Sequence, residues 1–157
     1  MQLIKKLILW CILFTLSTWT CTPKNSIYEN ETKVIETIYL SDSTNDELLI
    51  LSIPIKGCNS CISSIRKAYT QEKLYAKKNL RVLLLFHNKA EKQYYLENNR
   101  VFEDSHTYFA YTGELQNSIL NKGYPALIKI NQLRIKDITL LNSKELQNGL
   151  SEIRNSD

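Results

Sequence analysis

Two apolar runs, Leu48–Ile53 and Leu80–Phe86, constrain this chain more than any other feature. Both are aliphatic at nearly every position, as in strands covered on two faces rather than one. Between them Ile62, Ile65 and Tyr69 recur at helical spacing, which predicts a helix running to about Lys78. A strand–helix–strand unit of this length implies a right-handed parallel crossover, and hence an α/β fold. Pro54 closes the first strand, because proline cannot donate to a ladder. A chain of 157 residues is long enough for one such domain with its own core.

The junction between first strand and helix reads Gly57-Cys58-Asn59-Ser60-Cys61. A C-x-x-C placed there is a redox signal. Cys58 falls at the helix start, where unsatisfied N–H groups and the macrodipole favour an anion and lower a thiol's pKa, which makes it the nucleophile. Cys61, one turn further in, is less exposed and suited to resolve a mixed disulfide formed by Cys58. Two other readings of the same residues stay open. With His87 and His106 the pair could complete four zinc ligands, although the spacing matches no zinc-finger pattern. The two cysteines could equally form a structural disulfide or simply pack.

The N-terminus narrows the choice. Met1–Lys6 is short and basic, and Leu7–Leu16 is an apolar run too short to span a bilayer comfortably, so residues 1–20 have signal-peptide organisation. Ser17-Thr18-Trp19-Thr20-Cys21 resembles the lipobox of bacterial lipoproteins, which implies lipidation at Cys21 and a tether over residues 21–33. The expected location is the bacterial cell envelope, lipid-anchored, with the domain facing periplasm or exterior. Cys11 then leaves with the signal and Cys21 takes the lipid, so Cys58 and Cys61 are the thiols that remain of four. An exported domain with one close pair is not a disulfide-stapled scaffold; its core carries stability and the pair is available for chemistry. The full chain has a net charge of +4, and loss of Lys5 and Lys6 with the signal halves it. No basic block points to nucleic acid.

The domain is expected over residues 34–157. Val34–Leu40 reads as a first strand at an edge, Ser41–Asp46 as a polar loop, and Lys89–Asn98 as a moderate helix. His106–Tyr111 is predicted as a strand and Gly113–Asn121 as a short helix with Leu115, Ile119 and Leu120 inward. Gly123-Tyr124-Pro125 introduces a hairpin of Ala126–Ile130 and Leu133–Ile138, joined by two residues. Asn142 and Glu145 resemble a capping box for a last helix with Leu146, Leu150 and Ile153 on one stripe.

This order resembles the thioredoxin fold, a three-layer sandwich with a mixed central sheet. The strand and helix at 106–121 resemble the insertion of TlpA-like and redoxin-type thiol-disulfide oxidoreductases. The resemblance rests on Cys58-Asn59-Ser60-Cys61 and on Gly123-Tyr124-Pro125. It implies a cis Pro125 beside the cysteines, with Tyr124 offering its backbone to an extended substrate. It departs at Gly57, where the family usually has Trp, and at Ser52, where thioredoxins keep a buried carboxylate that moves protons for the second thiol; Lys56 is one side chain that could take over that transfer. The resemblance thus implies an envelope oxidoreductase that reduces disulfides of exported proteins with electrons from a membrane partner, using Cys58 and Cys61 and no cofactor or resident metal. The alternative is a non-catalytic lipoprotein of the same fold that binds a metal or a protein partner. Copper-delivery relatives have three residues between their cysteines rather than two.

Overall fold

The computed structural model describes residues 28–40, 47–98, 101–102, 106–132 and 134–156. The expected signal peptide, Cys21, most of the tether and the 41–46 loop lie outside them. The described elements are α1 (Glu29–Leu40), β1 (Glu47–Pro54), α2 (Asn59–Gln71), β2 (Leu80–Phe86), α3 (Lys89–Asn98), β3 (Thr107–Tyr111), β4 (Ala126–Asn131), β5 (Arg134–Leu140) and α4 (Leu146–Asn155). Short 3₁₀ turns occupy Leu74–Ala76, Thr112–Leu115 and Ile119–Lys122.

The strands form one mixed sheet in the order β3-β2-β1-β4-β5. β1 runs parallel to β2, and β2 parallel to β3, whereas β4 is antiparallel to both β1 and β5. The two aliphatic runs are the central pair, in register Leu51 to Val82 and Ile53 to Leu84. Each is covered twice. Leu51, Ile53, Val82, Leu84 and Phe86 pack with Ile65, Tyr69, Tyr95, Leu150 and Ile153 under α2, α3 and α4. Leu48, Ile50, Leu83 and Leu85 pack with Ile35, Ile38, Leu115 and Leu120 under α1 and the 3₁₀ turns. The chain is therefore an α/β domain with helices on both faces of a five-stranded sheet.

Four expectations are corrected. Residues 34–40 are helix, not an edge strand, and the helix starts at Glu29, so residues 29–33 belong to the fold and not to the tether. Its β-branched residues suggest a strand, but Glu31, Ile35 and Ile38 are buried together at spacings of four and three, and Glu29 and Glu31 complement the N-terminal end of the dipole. The sheet edge beside β2 is filled by β3 instead. α2 stops at Gln71, because Lys73 adopts a left-handed conformation (φ 53°) and breaks the run toward Lys78. Residues 113–121 form no α-helix: Asn117 (φ 62°) separates two 3₁₀ turns, although Leu115 and Leu120 are buried as their apolar character demands. α4 begins at Leu146, and Asn142 Oδ1 accepts from the N–H groups of Lys144 (2.9 Å) and Glu145 (3.2 Å), which is half of the expected capping box. Among the described residues no helix is long and apolar enough to cross a membrane.

Candidate functional site

β1 keeps pairing just past its end, since the Ile55 N–H donates to Leu85 O at 3.0 Å. The chain then bends through Lys56 and Gly57 and enters α2 with Cys58 in extended backbone (ψ 93°) as the residue that caps it. The Cys61 N–H donates to Cys58 Sγ at 3.4 Å, and Ser60 Oγ lies 3.4 Å from the same sulfur. Donors at a helix start stabilise a thiolate there. Cys58 and Cys61 have Cα atoms 5.3 Å apart and sulfurs at disulfide distance. Their exposures differ: Cys58 is half-buried and Cys61 is 2% exposed. One sulfur can be approached from outside, and the other is reached through the first.

Gly123-Tyr124-Pro125, 65 residues further along at its start, comes directly against this bend. The Cys58 N–H donates to Gly123 O at 2.8 Å. A Cβ built on Gly57 would overlap that same carbonyl oxygen, so only glycine permits the approach. This accounts for glycine at the position before the first cysteine. Gly123 itself has φ +74°, a conformation that favours glycine, and reverses the chain after the Ile119–Lys122 turn. The peptide bond before Pro125 is trans, contrary to expectation. The left-handed Gly123 already makes the reversal that a cis bond would have supplied, and trans is the lower-energy isomer. Pro125 is buried and its carbonyl accepts from the Leu141 N–H at 2.7 Å. Tyr124 is 40% exposed, and no hydrogen bond among the described residues engages it.

On the other flank of the bend lies a groove lined by Ile55, Lys56, Asn88, Glu91, Tyr94 and Tyr95. Glu91 is its buried charge, with a side chain 9% exposed. It accepts from the His87 N–H at 2.6 Å and meets Lys56 Nζ at 3.0 Å, with His87 Nδ1 at 3.6 Å. Burial pushes its carboxyl upward, but the His87 N–H and the Lys56 ammonium outweigh burial and hold it below the usual carboxylate value. Lys56 stands out in the sequence by its nearness to Cys58, whereas Glu91 does not. The one local signal for Glu91 is Asn88 three residues before it at a helix start, and Asn88 Oδ1 does accept from the Glu91 N–H at 2.9 Å.

The two histidines part company. His87 follows β2 at the cysteine end of the sheet, whereas His106 precedes β3, whose parallel course puts its start at the opposite end. Among the described residues no three His, Cys, Asp or Glu side chains gather as a cation site. Ser52, buried in β1, has no hydrogen-bond partner for its hydroxyl. No protein-family model matches the chain, and no curated protein matches it.

Proposed function

We propose that the protein is an exported, lipid-anchored thiol-disulfide oxidoreductase of thioredoxin-like fold. The observation that carries the reading is the unequal C-x-x-C at the start of α2, with a reachable Cys58 in front of a buried Cys61. Support also comes from the mixed sheet with helices on both faces and from the Gly123–Pro125 loop held against Cys58.

The reaction runs in two exchanges. The Cys58 thiolate attacks one sulfur of a substrate disulfide; a mixed disulfide forms and the other substrate sulfur leaves as a thiolate. Cys61, deprotonated, then attacks Cys58 Sγ, which closes the Cys58–Cys61 disulfide and releases the second substrate thiolate. Two electrons pass from the pair to the substrate, and a membrane dithiol donor returns the pair to its reduced form. N–H donation at the helix start stabilises Cys58 both as attacking and as leaving thiolate. Tyr124, 40% exposed on the loop held against Cys58, is the residue on which an extended substrate segment pairs, with Pro125 following it.

Cys58→Ser is expected to abolish reduction of a disulfide-bonded test peptide, and Cys61→Ser to trap the mixed disulfide with that peptide. Unchanged exchange in Cys58→Ser overturns the mechanism. The reduction potential of the pair sets its direction: a value near thioredoxin's, about −270 mV, fits a reductase, whereas about −120 mV fits an oxidant.

A further inference from the structure

We propose that the Lys56–Glu91 ion pair is a charge-balancing element of the cysteine site, in which Glu91 is the positioning residue that withholds the Lys56 cation from Cys58. The proposal rests on the redox reading and concerns how that site is tuned.

Lys56 and Cys58 are two residues apart, so their backbones lie within about 7 Å of one another. The bend between them is pinned from both sides. Ile55 is held by Leu85 O and Cys58 by Gly123 O, so the loop cannot carry Lys56 away from the cysteine. The lysine side chain is long and 69% exposed, and left to itself an ammonium there could turn toward a thiolate at Cys58. Glu91 takes it at 3.0 Å, from the α3 side of the bend. The carboxylate has no comparable freedom: it is 9% exposed, it accepts the His87 N–H, and its own backbone N–H is bound to Asn88.

A buried carboxylate 3.0 Å from an exposed ammonium makes the pair close to neutral. Removing either member leaves an uncompensated charge of known sign against the bend that leads into Cys58. A bare Lys56 favours the thiolate; a bare Glu91 disfavours it. The two singles must therefore move thiolate reactivity in opposite directions, and the double variant must restore it. A role confined to holding the loop in shape would shift both singles the same way. His87 beside Glu91, Tyr94 and Tyr95 in the same groove, and Lys122 and Tyr124 on the opposite loop are further titratable groups among the described residues at this end, and the cycle leaves them constant.

The test is the rate of iodoacetamide alkylation of the reduced, full-length protein at pH 6.5, with the adduct mapped to Cys58. Glu91→Gln is expected to alkylate about threefold faster than wild type, and Lys56→Gln about threefold slower, with the double variant near wild type. Lys56→Arg, which keeps the charge, stays near wild type. Singles that move together, an unchanged rate in either, or a double variant that fails to return overturns the proposal. Should Glu91→Gln loosen the start of α3, the Lys56→Gln and Lys56→Arg comparison decides the matter by itself: no slowing in the first, or equal slowing in both, overturns it. Alkylation needs no substrate disulfide. Failure here would leave the Cys58→Ser exchange result standing, and failure there would leave the charge cycle standing.

Discussion

Against one face of the sheet lie α2, α3 and α4, and the cluster they close over Leu51, Ile53, Val82, Leu84 and Leu127 is aliphatic and aromatic. Against the other lie α1 and two 3₁₀ turns, and there Glu31, Ser52, Arg81 and Ser118 are buried beside Ile50, Leu83 and Ile128. Strand alternation assigns them: Ser52 shares its side with Leu48 and Ile50, and Arg81 with Leu83 and Leu85. The first face is held by burial, which is non-directional. The second also depends on particular hydrogen bonds. Ser118 Oγ donates to Glu31 Oε1 at 2.5 Å, and the Ile119 N–H donates to the same oxygen at 3.0 Å, which fastens α1 to the turn leading to Gly123. Arg81 Nη1 donates to the carbonyls of Lys78 and Leu80. A dry face tolerates no lost volume, whereas a face of short turns and polar fastenings can settle around a lost methylene and fails when a fastening is cut.

The largest effect expected from this contrast is at Leu84, fully buried in the cluster on the face covered by α2, α3 and α4. Leu84→Ala should cost about 3–5 kcal/mol, the upper part of the range for such truncations, because regular helices collapse poorly into the space left. Leu83→Ala, equally buried but facing α1 and the turns, should cost about 2–3 kcal/mol. Denaturant midpoints at unchanged slope read both. Equal losses would break the comparison.

A middle effect belongs to Glu31. Glu31→Ala removes the acceptor shared by the Ser118 hydroxyl and the Ile119 amide, and should destabilise by about 1–3 kcal/mol. Glu31→Gln keeps an acceptor oxygen and should recover much of the loss, as read by thermal unfolding. If Gln and Ala behaved alike, the contact would owe its strength to charge and not to hydrogen bonding.

The same contrast explains which elements are legible in the sequence. β1 and β2 follow from their unbroken aliphatic runs, covered on both faces, and α2 and α4 from one apolar stripe each, and the unit they form is enough to place Cys58 at a helix start. α1 reads as a strand because Val34, Ile35, Thr37 and Ile38 are β-branched. What fixes it as helix is a buried Glu31 meeting Ser118, a partner 87 positions away that no local pattern announces. The site divides the same way. Cys58 and Cys61 are legible because their chemistry lies within one turn. The Gly57–Gly123 approach and the Lys56–Glu91 pair are not, because each joins segments that meet only after the sheet has formed. In sequence Gly57 reads as a lost helper residue; in the fold it is the one residue type that lets the second loop reach Cys58.

The smallest effect, and the sharpest, is at Ser52. It lies on the polar face, six residues before Cys58, between Leu83 of β2 and Ala126 of β4. It is 1% exposed, and its hydroxyl has no partner, unlike the side-chain oxygens of Glu31 and Ser118. A buried polar atom without a hydrogen bond keeps its full desolvation cost, so polarity here stabilises nothing. Ser52→Ala should therefore leave stability unchanged or raise it by up to about 1 kcal/mol, the opposite sign to Glu31→Ala on the same face. Its effect on disulfide exchange should also be small, because an unpaired hydroxyl does not shuttle protons for Cys61 as a carboxylate would. A loss above about 1 kcal/mol would mean that Ser52 is fastened after all, and that the second face is uniformly hydrogen-bonded rather than held at a few points such as Glu31.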